Sequence, residues 1–571
     1  MAEESVKTDV PARMDRLPWA KWHWTVVLGL GTVWILDGLE VTIVGALGER
    51  LTDPESGLRL TETEVGLAAS FYVLGAVLGS LFFGYLTDRL GRKKLFLLTL
   101  ALYLVATVLT AFSFSAWWFF LMRFLTGAGV GGEYAAINSA IDELVPARVR
   151  GRVDLIVNGS YWLGAAVGAA LTLVLLDPSL FAVDLGWRIA FALGAVLGVG
   201  ILLVRRNVPE SPRWLFTHGR ADEADKLVGE IERQVEQQTG TKLEPVSERI
   251  EVKQRGTVGF GTVAKVLVKT YPKRTLLGLG LFIGQAFLYN AVYFTQALVL
   301  GRFFGISGAT VGGYLIPLAV GSLIGPLVLG KLFDTVGRRT MISLCYLGSG
   351  ALLVGTGLLF QQGLLTETTL TLAWTAVFFL ASAGASAAYL TVSEIFPLEI
   401  RAMSIALFYS VGTGLGGIIG PVLFGALVET GELSAVAIGY YIGAGVMIFG
   451  GVVEIVLGVE AAGRSLEDIA SPLSASPSGA GDKPRVSSRA ATRSGYAPLP
   501  GTSDYPSSGP DDEREAEAIL TALQHESLTR AELRARLGAA QWGPGRFTAA
   551  LRRTIAEGDV VEVGRGRYRA R

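Results

Sequence analysis

Long apolar runs alternate with short polar breaks through most of the chain, up to about residue 458. A helix crosses a bilayer with roughly 20 apolar residues. Twelve runs reach that length: 23–47, 63–87, 94–113, 116–141, 153–176, 187–204, 274–299, 309–333, 340–360, 368–392, 402–427 and 436–458. The pattern predicts an all-α membrane protein with twelve transmembrane helices. Trp19, Trp22 and Trp24 stand at the first entry point, and Trp117 and Trp118 at another, where amphipathic rings favour the membrane–water boundary.

Composition agrees. Only 18% of the 571 residues are charged and 51% are hydrophobic, against about a quarter charged in a soluble protein. The 72 glycines suit helices packed closely in lipid. Net charge is zero, so its distribution carries the information. The even-numbered connections hold Arg89, Arg92, Lys93 and Lys94; Arg148, Arg150 and Arg152; Arg205, Arg206 and Arg213; Lys331, Arg338 and Arg339; and Arg401. The odd-numbered ones are mostly acidic. Basic loops face the cytoplasm, which puts both termini there, in a multi-pass protein of the cell membrane. Residues 1–22 read as a polar cytoplasmic tail without the regions of a cleavable signal peptide. Cys345 is the one cysteine, which excludes an intrachain disulfide.

Two stretches repeat. "GYLTDRLGRKKLF" at 84–96 returns as "GKLFDTVGRRTMI" at 330–342, with Asp88 and Asp334 246 positions apart. "ELVPARVR" and "EIFPLEIR" place Glu143 before Arg150 and Glu394 before Arg401, 251 positions apart. Two repeats at nearly one offset imply two homologous halves: bundles at 23–204 and 273–459, joined by a cytoplasmic loop at 205–272.

These residues resemble the major facilitator superfamily over about 20–470. Gly84, Asp88, Arg89, Gly91, Arg92 and Lys93 match its loop between spans 2 and 3, and Gly330, Asp334, Gly337, Arg338 and Arg339 keep the pattern. "VPESPRWLF" after span 6 and "VEAAGRSLEDI" after span 12 resemble signatures of the sugar-porter and metabolite–proton symporter branch, although Val459 and Ala461 replace a proline and a threonine. The resemblance implies two pseudo-symmetric six-helix bundles that rock about a central site. Asp88 and Arg92 are expected to meet Glu143 and Arg150, and Asp334 and Arg338 to meet Glu394 and Arg401, as a cytoplasmic gate. The alternative is that the bases only obey the topology rule.

Ionisable residues inside spans are rare and usually functional. Span 1 holds Asp37 and Glu40; span 4 holds Arg123 and Glu133. Asp37 and Arg123 match an aspartate–arginine pair of proton-coupled sugar porters, and are expected to meet near one depth. They read as a proton-coupling pair or as a permanent structural ion pair. Glu40 either joins them at the cavity or approaches the outer interface. Glu133, in "GVGGEY", is a structural hydrogen-bonding residue or a substrate contact. Asn158, Gln285, Tyr289, Asn290 and Tyr389 are candidates for substrate binding, since such groups donate and accept, or for interhelical bonding. Gly284-Gln285-Ala286 and "AGASAAYL" depart from sugar-porter patterns in spans 7 and 10, and no stacking tryptophan stands there.

No metal-ligand spacing, nucleophile motif or phosphate loop appears, so neither an enzyme nor a cofactor is expected. The expected function is secondary active transport of a small polar metabolite, an organic acid or a sugar, as proton symport. The alternatives are a passive facilitator, an exporter, or a sensor signalling through the C-terminal region. That region reads as a Ser/Pro/Gly-rich linker at 460–510, then a small α+β, winged-helix-like domain at 511–571. Arg546, Arg552, Arg553, Arg565, Arg567 and Arg569 are balanced by Asp511, Asp512, Glu513, Glu515 and Glu517. A protein partner is therefore expected there rather than nucleic acid, with anionic lipid as a further contact.

Overall fold

The computed structural model describes residues 5–473 apart from 178, 206–207, 247–248, 254–258, 294, 307 and 472. Further on it describes 518–524, 527–537, 546–556, 559–563 and 567–570. The chain divides into two compact units, Met1–Gly481 and Asp482–Arg571. The stretch read as a linker lies outside the described residues from 474 onward.

The first unit is built on long helices. In the first half these are α1 (Lys21–Ala46), α2 (Glu62–Leu90), α3 (Arg92–Ala111), α4 (Ala116–Leu144), α5 (Arg150–Gly159, then Tyr161–Leu175) and α6 (Val183–Arg205). In the second half they are α7 (Pro272–Leu288, then Gln296–Phe304), α8 (Gly308–Thr335), α9 (Arg338–Gln361), α10 (Glu367–Ile395), α11 (Arg401–Glu429) and α12 (Leu433–Leu457). Among the described residues, eleven segments are long and apolar enough to cross a membrane. The helix left out of that count is α4, which has 29 residues. Its sequence explains the exception: Arg123, Glu133, Asp142 and Glu143 lower its hydropathy. From Thr126 to Leu144 every α4 residue but Tyr134 is buried by protein, so those charges are kept from lipid.

The repeat shows in the packing. In the first half α2 packs on α4, α4 on α3, α1 on α5, α3 on α6 and α1 on α6. In the second, α8 packs on α10, α10 on α9, α7 on α11, α9 on α12 and α7 on α12. These are the same pairings advanced by six helices. Across the halves, α2 meets α11 and α5 meets α8, again a matched exchange. Small residues permit the tightest crossing: a Cβ at Gly75 or Gly79 of α2, or at Gly127 or Gly131 of α4, would overlap backbone of the partner helix. Large apolar side chains such as Leu74, Leu78 and Phe82 remain exposed on the outer faces, where lipid tails would cover them.

Polar structure gathers at the end of the bundle that carries the repeated loops. An amphipathic helix, Ala221–Thr239, buries Ala224, Val228, Ile231 and Val235. A short helix, Val10–Asp15, rests beside it, with Arg13 paired to Glu232 at 2.7 Å. Strand β1 (Ser5–Thr8) pairs antiparallel with β2 (Ile250–Lys253), which ties the start of the chain to the loop between its halves.

In the second unit, β3 (Leu528–Thr529), β4 (Val560–Glu562) and β5 (Arg567–Ala570) form an antiparallel sheet in the order β3-β5-β4. Helices Arg530–Arg536 and Arg546–Ala556 accompany it. Ile519, Leu523, Leu533, Phe547, Leu551 and Val560 make its core. The glycines read as the hairpin turn, Gly564 and Gly566, lie outside the described residues, as do Arg565 and the acidic run 511–517.

Candidate functional site

A cavity of about 190 Å³ lies between the two halves of the helical unit, lined by residues of α1, α2, α4, α5, α7, α10 and α11. Two interruptions shape it. Helix α5 breaks at Ser160, beside Asn158, Tyr161 and Trp162. Helix α7 widens into a π-turn at Tyr289–Tyr293, which presents Tyr289, Asn290 and Tyr293; such turns are frequent at functional sites.

Nine of the lining residues are aromatic: Trp34, Tyr72, Tyr134, Tyr161, Trp162, Tyr289, Tyr293, Tyr389 and Tyr409. Trp34 stacks on Tyr134 with centroids 4.5 Å apart and planes at 5°. Trp162 stacks on Tyr289 at 5.3 Å. Among the buried polar atoms of the wall, Trp34 Nε1, the Tyr289 hydroxyl and Asn158 Oδ1 have no hydrogen-bond partner. Other polar groups serve their own helices, as when Ser386 donates to the Ser382 carbonyl and Asn290 to the Ala286 carbonyl.

The five residues read as substrate-binding candidates, Asn158, Gln285, Tyr289, Asn290 and Tyr389, all line this cavity. Glu133 does not; it is buried within α4. Asp37, Glu40 and Arg123 are also absent from the wall, whose described residues carry no charge. They stand one ring behind it. The Tyr134 hydroxyl, from the wall, donates to Asp37 Oδ2. The Arg123 guanidinium lies 4.5 Å above the ring of Tyr72, also in the wall.

The expected contact between Asp37 and Arg123 is not formed. Arg123 Nη1 instead pairs with Glu40 Oε1 at 2.6 Å, and Thr107 donates to the other Glu40 oxygen at 3.1 Å. Glu40 is 5% exposed, so it is no residue of the outer interface. Depth explains the partner. Glu40 and Arg123 each lie seven positions from the ends of runs 23–47 and 116–141 that share one side; Asp37 lies about one turn deeper.

At the loop end of the bundle, the repeated charges form a latch. Arg92 Nη2 pairs with Glu143 at 2.8 Å and with Asp88 at 3.4 Å. Arg338 pairs with Asp334 at 2.8 Å and with Glu394 at 3.1 Å. The other two arginines depart from the expected grouping, because each crosses to the opposite half. Arg150 Nη1 lies 3.6 Å from Glu394, and Arg401 Nη1 lies 3.4 Å from Glu143. The aspartates cross as well. Asp88 accepts from the Met403 N–H at 3.0 Å, while Asp334 accepts from Gly151 at 3.0 Å and Arg152 at 2.8 Å. Each aspartate thus takes orphan N–H groups at the start of a helix in the other half, where the helix dipole favours an anion.

Signature motifs brace this latch. Glu210 of "VPESPRWLF" accepts from the Arg92 N–H at 2.9 Å, and Glu460 of "VEAAGRSLEDI" accepts from the Arg338 N–H at 2.9 Å. Gly91 and Gly337 hold positive φ, 99° and 114°, and a Cβ at either would strike that carboxylate. Burial pushes the Glu210 carboxyl above its ordinary range, while the N–H groups of Ser211, Lys93 and Arg92 and the Arg92 charge pull it back. Arg213 bridges Glu467 at 3.0 Å and Asp15 at 3.1 Å; Asp15 also reaches Arg150 at 3.4 Å.

Two six-helix halves, a ring-lined cavity between them and a charged latch at one end define a membrane transporter of the major facilitator fold. The chain belongs to the sugar (and other) transporter family, whose model matches residues 21–472. It is 28% identical over 468 residues to the niacin transporter NiaP of Acinetobacter baylyi, covering 81% of this chain and 99% of that one. It is 25% identical to a D-xylose transporter of Levilactobacillus brevis, covering 76% and 95%. Among solved structures, the proton:xylose symporter XylE bound to 6-bromo-6-deoxy-D-glucose superposes with a TM-score of 0.63 at 17% identity, over 79% of this chain and 98% of that one. The human organic anion transporter MFSD10 does so with a TM-score of 0.54 at 16% identity, over 78% and 99%. The two structures share the fold.

Proposed function

We propose that the protein is a proton-coupled symporter that carries a small, ring-bearing polar metabolite, a sugar or an aromatic organic acid, into the cell by alternating access. One observation carries the coupling: Tyr134 belongs to the cavity wall and donates its hydroxyl to the buried Asp37. A solute stacked against Tyr134 shifts that hydroxyl. Asp37 then loses or gains the donor that favours its ionised form. Arg123 is committed to Glu40, so Asp37 is left as the carboxylate whose charge is not cancelled by a direct ion pair. Asp37 therefore takes and releases the proton, and Glu40–Arg123 holds α1 to α4.

The substrate class follows from the wall. Stacked indole and phenol rings suit the flat face of a ring, and the three unpartnered polar atoms offer it two donors and an acceptor. The names of the relatives, one a niacin and one a D-xylose transporter, fall in this class. The latch is the cytoplasmic gate, closed here, and both termini lie on its side by the excess of basic residues in the loops. For the second unit, the strand order β3-β5-β4 beside two helices supports a winged-helix-like domain that docks a protein partner.

Reconstituted protein tests the reading. Labelled solute should accumulate only with an inward proton gradient, and Asp37→Asn should exchange solute without accumulating it. Accumulation by that variant would refute the coupling role. Thermal stabilisation by sugars, aliphatic acids and aromatic acids would narrow the substrate.

A further inference from the structure

The latch holds more acid than its bases can neutralise. Its four arginines, Arg92, Arg150, Arg338 and Arg401, are matched by Asp88, Glu143, Asp334 and Glu394, each ion-paired as described. Two further carboxylates, Asp142 of α4 and Asp154 of α5, are fully buried among them. Neither oxygen of either accepts a hydrogen bond of ordinary geometry, although the Ser393 hydroxyl lies beside Asp142 and the Asn158 amide beside Asp154. Arg150 Nε stands 3.9 Å from Asp142 and is itself without a hydrogen bond. The other charged groups around Asp142 are Glu394 and Arg401; around Asp154 they are Asp142, Glu394 and Arg338. The next buried cation, Arg213, is taken by Asp15 and Glu467.

A buried carboxylate whose nearby arginines are shared with other acids, and which accepts no well-formed hydrogen bond, is costly as an anion, and it takes a proton instead. The duplication supplies an internal control. Shifted by the 251-residue offset, the positions of Asp142 and Asp154 in the second half are Ser393 and Ile405. The repeated latch therefore works there without them, and the pair is an addition to one side. It also adjoins the cavity. Asn138 and Asn158, each one helical turn from one of the pair, are joined by a 3.0 Å bond from Asn158 Nδ2 to Asn138 Oδ1. Asn158 lines the cavity.

We propose that Asp142 and Asp154 form a second proton-binding site, within the latch. The site is loaded while the latch is closed and empties when opening admits water and lets the carboxylates ionise. Closed and open latches then differ in bound protons independently of Asp37.

The test uses the full-length protein as wild type, Asp142→Asn, Asp154→Asn and the double variant, with melting temperature followed from acid to alkaline pH. A group that holds its proton more tightly when folded loses stability as pH rises. Wild type should therefore fall with pH more steeply than the variants: the slope is reduced in each single variant and most in the double. Solute exchange without a gradient should lose its alkaline decline in the double variant. Asp142→Ser with Asp154→Ile, which copies the second half, provides a replacement of proven shape should the amide variants fail to fold. Identical pH slopes in all proteins, or destabilisation equal at every pH, overturn the proposal. The role of Asp37 is judged separately: if Asp37→Asn abolishes accumulation while the double variant keeps the wild-type pH profile, this site fails and that one stands.

Discussion

The two halves share a scaffold and divide its chemistry. In the first, α1 and α4 bury Asp37, Glu40, Arg123 and Glu133. In the second, the positions matching Arg123 and Glu133 at the 251-residue offset are Trp374 and Gly384, and the cavity receives Gln285, Tyr289, Asn290 and Tyr389 instead. Pairing of helices survived the duplication because packing depends on shape. The charges within the spans, away from the duplicated latch, did not, because each buried ion must find a partner of its own. Under the proposed function, proton handling falls mainly to α1 and α4 and solute recognition largely to α7 and α10, with Tyr134 of α4 linking the two.

The hardest blow to that division is Arg123→Leu. It strands Glu40 in a buried site, and breaking such a pair costs about 3–5 kcal/mol. Transport should be lost and the melting point should drop sharply; Glu40→Gln with Arg123→Leu should recover much of the stability. Normal stability in the single variant would show the pair to be dispensable. Next in size, Gly91→Ala and Gly337→Ala each force a Cβ against the capping glutamate at a positive φ. Both should lower the melting temperature by similar amounts, since the halves are alike there. A large effect at only one would break the symmetry. Smaller again, Gln285→Ala or Tyr289→Phe should raise KM by about the worth of one hydrogen bond, ~1 kcal/mol. Their pH profiles should stay unchanged, and a moved profile would mix the two tasks. Least of all, Asp88→Asn and Asp334→Asn keep an acceptor for the helix N–H groups and lose only the charge that favours a helix start, worth about 0.3–1 kcal/mol each. Each should raise thiol labelling of a cysteine placed in the opened latch, and unaltered labelling would deny the aspartates a gating role.

The scaffold was legible in the sequence because hydrophobic length and a repeated motif both survive in one dimension. The α4 helix was legible as a run yet fails a strict hydropathy measure, since protein rather than lipid surrounds it. Side-chain direction was less accessible. Asp37 and Glu40 share a helix face, and family likeness pointed to Asp37 although the depth count already matched Glu40. Nothing in the spacing of Glu143 and Arg150 tells that the arginine reaches across to Glu394. The aromatic wall was missed for another reason. The family pattern places a stacking tryptophan on span 10, whereas Trp34 and Trp162 come from α1 and α5. A usable signal existed: both lie inside apolar runs, away from the boundary where such rings ordinarily collect.

Those two indoles have a practical outcome. Both border the chamber, one pressed on a phenol from the first half and the other on a phenol from the second. Any guest settling between them must alter the light they emit, so occupancy of the unlabelled protein can be followed by its own ultraviolet glow.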